Sequence, residues 1–275
     1  MAYRNHRGKI ALWCAIFMGL SISVSCQTQE VALLVNSKIV LAPPIIQIDS
    51  LLFKESASAT LQLRQEGATL RYTLDGSDVS TSAALYQSPI VLKETVELKA
   101  KAFHSDFQAS ETAAITTRKV KSDLGAAEIQ IQPNPSKTYS ASGRKTLIDG
   151  QKGSTNFRRG NFWLGFQESE ILVSLSLEQP TKINKVVVSV LNDQDSWIFL
   201  PQKLTVVSNG ISVGSKVLEN CAEKTSKQTK FVEVDIAPGA YSTLLLTLSA
   251  MEGIPEWHAG KGTPPWTFID EILIE

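Results

Sequence analysis

Hydrophobic residues that alternate with polar ones constrain this chain most. Leu61 and Leu63 flank Gln62, Leu70, Tyr72 and Leu74 are separated by Arg71 and Thr73, and Val232, Val234 and Ile236 by Glu233 and Asp235. A period of two puts one set of side chains on one face of a pleated strand, so each segment predicts a half-buried β-strand. Ile171, Val173, Leu175 and Leu177 predict another one-sided strand, and Val186-Val187-Val188, apolar on both faces, a central one. Leu204-Thr205-Val206-Val207 runs to Asn209-Gly210, a pair suited to a two-residue hairpin, and Asp75-Gly76 predicts a tight turn. No helical period of three to four is sustained and no βαβ order appears, so the fold class expected is all-β, in sandwiches.

The N-terminus carries a targeting signal: Arg4, Arg7 and Lys9 precede an apolar run from Ile10 to Val24, shorter than the ~20 residues that span a bilayer. The run closes on Ser23-Val24-Ser25-Cys26-Gln27, which resembles the lipobox of bacterial lipoproteins. That resemblance implies a signal peptide at 1–25, a lipid on Cys26, a tether over 26–42 that adds at most one strand, and a place in the bacterial envelope, on the surface or periplasmic face of the outer membrane. The alternative is a plain signal peptide cut elsewhere. Basic and acidic residues number 27 each and the basic ones are scattered, which excludes a nucleic-acid footprint. Of three cysteines, Cys14 lies in the signal and Cys26 at the lipid site, so Cys221 stands alone and no disulfide framework exists. The histidines His6, His104 and His258 are too dispersed for a zinc cluster.

Two units follow, at 43–121 and 128–275, joined by a short linker. In the first, Arg71-Tyr72-Thr73-Leu74-Asp75-Gly76-Ser77-Asp78, Tyr86, Ser88-Pro89-Ile90 and Leu98-Lys99-Ala100-Lys101-Ala102 resemble the chitobiase/β-hexosaminidase C-terminal domain, an immunoglobulin-like sandwich appended to glycan-active enzymes. Val79 stands where that family usually has proline. In the second, Thr146-Leu147-Ile148-Asp149-Gly150, Phe162-Trp163-Leu164-Gly165-Phe166, Ser196-Trp197-Ile198-Phe199-Leu200-Pro201 and Trp266-Thr267-Phe268-Ile269-Asp270-Glu271 resemble the discoidin-like jelly roll that follows the barrel of family 20 β-hexosaminidases. They are similar, more distantly, to family 32 carbohydrate-binding modules.

Glycoside hydrolysis needs carboxyl groups placed about one bond. Asp270-Glu271 lies in a strand-like run, so its side chains are expected on opposite faces and no enzyme is expected. The discoidin resemblance implies a structural calcium ion held by Asp149 and Glu271, with oxygens near Thr146 and Ser154 completing its shell. Otherwise, Asp149 caps its turn and Glu271 pairs with a lysine. Sugar binding needs an aromatic face beside polar groups. Trp197 follows the polar stretch Asn192–Ser196, Trp257 and His258 sit in a Gly- and Pro-rich stretch, and Arg158, Arg159 and Asn161 precede Trp163. These seven are the expected glycan-binding residues, although Trp163, like Trp266, suits a core plug better than a ligand platform. Three functions stay open: a non-catalytic lipoprotein binding amino-sugar glycans, a structural or protein-docking envelope lipoprotein, and an accessory subunit of a glycoside hydrolase.

Overall fold

Two β-sandwiches follow one another in a computed structural model that describes residues 39–218 and 224–275. The signal segment, Cys26, the tether up to residue 38 and Cys221 lie outside the described residues. Ile39–Leu41 pairs with Gln108 at the edge of the first sandwich.

The first sandwich comprises β1 (Ile45–Ile48), β2 (Leu52–Phe53), β3 (Ala57–Gln62), β4 (Thr69–Thr73), β5 (Ala84–Leu85), β6 (Ile90–Leu92), β7 (Val96–Phe103) and β8 (Ala113–Lys119). A three-stranded sheet in the order β1-β3-β6 packs on a five-stranded one, β2-β8-β7-β4-β5. Ala57, Ala59 and Leu61 of β3 meet Leu98 and Ala100 of β7 in the core, with Tyr72 and Tyr86 packed against it. The Asp75-Gly76 turn forms, with glycine at φ +76° and Asp75 Oδ1 accepting the Ser77 N–H. It does not join two strands directly, since β4 reaches its partner β5 through residues 74–83. Val79, where the resembled domain usually has proline, is buried.

The second sandwich comprises β9 (Glu128–Gln132), β10 (Leu164–Phe166), β11 (Glu170–Asn192), β12 (Lys203–Ser208), β13 (Ile211–Val217), β14 (Gln228–Ser249) and β15 (Thr267–Ile274). β11 and β14 pair along almost their whole length, with register shifts between Ser176 and Thr181 and between Ile183 and Lys185. The first half of β11 also pairs with β9 and the second half with β15, so one hydrogen-bonded sheet bends over on itself into two layers. Ile171, Val173 and Leu175 thereby share a core with Val186, Val188 and Val190 from the same strand. Segments that the sequence separates are thus one bent strand. Asn209 and Gly210, at φ +50° and +77°, turn β12 into β13 in the two-residue hairpin expected of them.

Val187, pointing away from that core, is also fully buried, because the first sandwich covers it: Leu52, Val187 and Leu273 form a joint cluster with Val120 and Phe231. Arg118, at the end of β8, is 3% exposed and bonds Glu275 at 2.5 Å. It also pairs with Glu233 and lies over the Phe231 ring. Lys121 adds a second contact to Glu275, at 2.9 Å. The two-faced apolarity of Val186–Val188 therefore records a domain interface as well as a core.

Candidate functional site

Loops at one end of the second sandwich carry the exposed aromatic residues. After β11, residues Gln194–Ser196 form a short 3-10 turn that ends on Trp197 with a left-handed backbone, φ +63°. That conformation is uncommon for a bulky side chain and persists where its surroundings hold it. Here the Trp197 N–H donates to the Gln194 carbonyl at 2.9 Å, and the Trp197 carbonyl accepts the Trp266 N–H at 2.8 Å. The reversed turn carries the indole outward, leaving it 40% exposed. Gly260 lies against its ring, where a Cβ would fall 3.0 Å from the nearest ring atom. Trp257 is 37% exposed, and the His258 ring stands edge-on to both indoles, at 6.2 Å from Trp197 and 5.5 Å from Trp257. Phe199, Met251 and Ile254 form a buried base nearby. Ion pairs of Asp195 with Lys224 and of Glu256 with Lys261 lie exposed in the same loops.

His258 does not have the role expected of it. Its Nδ1 accepts the Gly260 N–H at 3.0 Å, so Nε2–H donates to the Gln194 carbonyl at 2.9 Å. Both ring nitrogens are spent on backbone, and the residue is a strut between the two tryptophan-bearing loops rather than a free donor to a sugar. Trp163 is a plainer correction. It is 2% exposed, donates its indole N–H to the Ser154 carbonyl and packs with Phe268, just ahead of β10, in a second aromatic core. Trp266 packs edge-on against Tyr139 and Phe268 in that core.

Arg158, Arg159 and Asn161 are exposed in the loop before Trp163. The Arg158 guanidinium sits 4.3 Å from the Phe157 ring centroid, and Lys227, 5.6 Å from the same ring, bonds Asp193 at 2.7 Å. Phe157 and Lys227 thus link the arginine loop to the turn that displays Trp197. Arg158 adjoins the tryptophans through these intermediaries.

The carboxylates of β15 depart from expectation. Val190 pairs with Ile269 and Ser189 with Glu271, so Asp270 is an extra residue in a β-bulge. The bulge breaks the alternation, and both acids meet the loop 150–153 instead of facing opposite ways. Asp270 Oδ2 accepts from Lys152 Nζ at 2.8 Å and from the Gly153 N–H at 2.6 Å, while Glu271 Oε1 accepts the Gly150 N–H at 3.1 Å. Lys152 is buried with its ammonium 4.6 Å from the Trp163 ring centroid. Burial pushes the Asp270 carboxyl up and the Lys152 ammonium down, each opposed by the other's charge. Glu271 is pushed up to about 9, by burial first and then by the charges of Asp149 and Asp270. Asp149 is itself raised by loss of water.

Whether these residues fit the calcium implied by the discoidin resemblance turns on Glu271 Oε2, which is buried without a hydrogen-bond partner and feels Asp149 beside it. Two neighbouring carboxylates, one with an orphaned oxygen, suit a hard cation. The other two expected contributors are engaged: the Thr146 hydroxyl accepts the Ser142 N–H, and the Ser154 hydroxyl and carbonyl accept from Asn156 and Trp163. Carbonyls and water would have to complete the shell. Lys152, Gly260 and Lys227 escaped sequence reasoning, since a lysine between glycines reads as a solvated loop, and nothing in the sequence places Gly260 beneath an indole.

The architecture defines a class: two consecutive β-sandwiches, the second presenting aromatic side chains on loops at one end. Residues 50–116 match the family model of the chitobiase/beta-hexosaminidase C-terminal domain. No curated protein matches the chain. Among solved structures it is similar to chitosan-binding module 1 of a chitosanase/glucanase from Paenibacillus sp. IK-5, at 11% identity and TM-score 0.34, over 56% of this chain and 98% of that one. It is similar also to a Streptococcus pneumoniae fucose binding module, at 12% identity and TM-score 0.38, over 56% and 94%. The CBM32-1 and CBM32-2 domains of Clostridium perfringens ZmpB align at 13% identity and TM-score 0.35, over 54% of this chain and 34% of that one.

Proposed function

We propose that this chain is a non-catalytic carbohydrate-binding protein that docks sugar rings on Trp197 and Trp257. The observation that carries the reading is the pair of half-exposed indoles held about His258: a bulky residue is kept in left-handed backbone with its ring turned to water. An indole face covers the apolar side of a pyranose, and Arg158, Arg159 and Asn161 with the charged groups of these loops bond its hydroxyls. Few atoms of a sugar are covered by such a platform, so a single site binds weakly, on the order of 0.1–1 mM. Amino-sugar glycans are the ligand class to test first, because the first module matches a domain of chitobiases and hexosaminidases.

A lipid on Cys26 would tether the platform to the bacterial outer membrane, where clustering raises avidity. There it would serve glycan capture or a neighbouring glycoside hydrolase. A calcium ion on Asp149 and Glu271 would neutralise two crowded carboxylates and so stiffen the 149–153 loop. Asp270 and Glu271, buried and engaged with that loop, offer no access to a glycosidic bond.

The test is a glycan array probed with the detergent-solubilised full-length chain and with Trp257→Ala. Binding to N-acetylglucosamine-containing glycans that disappears in a variant of unchanged melting temperature supports the platform. Absence of binding to every glycan would favour a protein-docking role.

A further inference from the structure

We infer that the second sandwich carries another binding site, a cationic groove for an acidic polysaccharide, formed by β9 and the segment 134–145. A cleft of about 810 Å³ opens there, lined by Lys137, Arg144 and Lys145 together with Asn134, Ser140 and Ser142. A second cleft, about 340 Å³, adjoins it and shares Gln130, Arg144 and Lys145, so the two form one extended groove with Arg144 and Lys145 where they join and Lys137 in the larger part.

What sets the cluster apart is its charge. Among the described residues five of the nine other lysines of this domain sit in ion pairs, namely Lys152, Lys185, Lys224, Lys227 and Lys261. Lys137, Arg144 and Lys145 are exposed and, among the described residues, none of them is salt-bridged; the Lys145 ammonium reaches the Gly125 carbonyl at 3.5 Å. Among the described residues that line the groove the one carboxylate is that of Glu128, which lines the smaller cleft and not the larger one that holds Lys137. Three uncompensated cations flanked by hydroxyls and amides match a ligand that combines carboxylate or sulfate groups with sugar hydroxyls. The guanidinium fork of Arg144 takes such an anion with two hydrogen bonds. Two adjoining clefts of about 810 and 340 Å³ suit consecutive residues of a chain better than one monosaccharide.

The site is independent of the tryptophan platform, and its test keeps the two apart. In affinity gel electrophoresis, the full-length chain should be retarded by polygalacturonate or dextran sulfate but not by neutral dextran. Retardation should weaken with salt and persist in Trp257→Ala. Arg144→Gln with Lys145→Gln should weaken it about tenfold at unchanged melting temperature. Lys137→Glu, from the other side of the groove, should also weaken it. Equal retardation of wild type and both variants would overturn the assignment, as would equal retardation by single-stranded DNA or no retardation by either polyanion.

Discussion

Replacing Lys152 by Met should destabilise the second sandwich severely, and replacing its partner as well should restore most of the loss. The reasoning starts from Asp270, whose side chain is fully buried and whose Oδ1 has no hydrogen-bond partner. Its charge is met by the Lys152 ammonium at 2.8 Å and one backbone N–H at 2.6 Å. Methionine fills the lysine's volume against Trp163 but leaves a carboxylate in low dielectric, which costs about 3–5 kcal/mol. For a unit of this size each kcal/mol lowers the melting temperature by about 2–4 °C, so the single variant should melt roughly 6–20 °C early. Lys152→Met with Asp270→Asn removes both charges, keeps an oxygen for Gly153 and should recover to within about 2 kcal/mol of wild type. Urea titration followed by tryptophan fluorescence reads this unit directly, because apart from Trp13 every tryptophan lies in it. A loss below about 1 kcal/mol in Lys152→Met, or a double variant weaker than the single, would refute the account of the pair as a charge held by its counter-charge.

Gly260→Ala should weaken sugar binding while leaving the fold intact, because the added methyl meets the Trp197 ring at 3.0 Å and tilts the indole; titration calorimetry with the best array ligand checks it. Glu271 should make stability fall as pH rises: its folded carboxyl, at about 9 against 4.5 when free, keeps a proton that the unfolded chain releases. In EDTA, melting temperature should drop from about pH 5 to pH 9, and Glu271→Gln should flatten the curve. Calcium at pH 8 should raise the melting temperature of wild type and not of that variant. Arg118→Met leaves Glu275 without its buried partner, and hydrogen exchange should rise around Leu52 and Val187, where the two sandwiches meet.

Strand positions were legible because a half-buried strand writes its burial into every second residue, as Val232, Val234 and Ile236 do. The Asn209-Gly210 hairpin was legible because so few residues tolerate two positive φ angles in succession. Asp270 was not, because a bulge inserts one residue into an alternating text and moves side chains to the other face without changing composition. The same limit hid the role of His258: its position among loop aromatics is visible in sequence, but whether its nitrogens face water or backbone depends on two loops some sixty residues apart, 194 and 258, meeting in space. Trp163 and Trp197 illustrate how little residue type decides. Both are tryptophans in a motif, yet one packs inward onto Phe268 just ahead of β10 while a left-handed turn carries the other out to solvent.

That contrast points to what distinguishes a binding platform from a core in a sandwich of this kind. Trp163 satisfies its N–H internally and is almost fully buried, so packing alone explains it. Trp197 sits in an unfavourable backbone conformation, secured by hydrogen bonds to Gln194 and Trp266 and by a glycine under its ring, with much of the indole in water. Backbone strain of about 1–3 kcal/mol that yields no burial has no stabilising explanation within the fold itself. The surrounding bonds hold the indole in one orientation, which would lower the entropy lost on docking a sugar and give the proposed shallow site its geometric specificity.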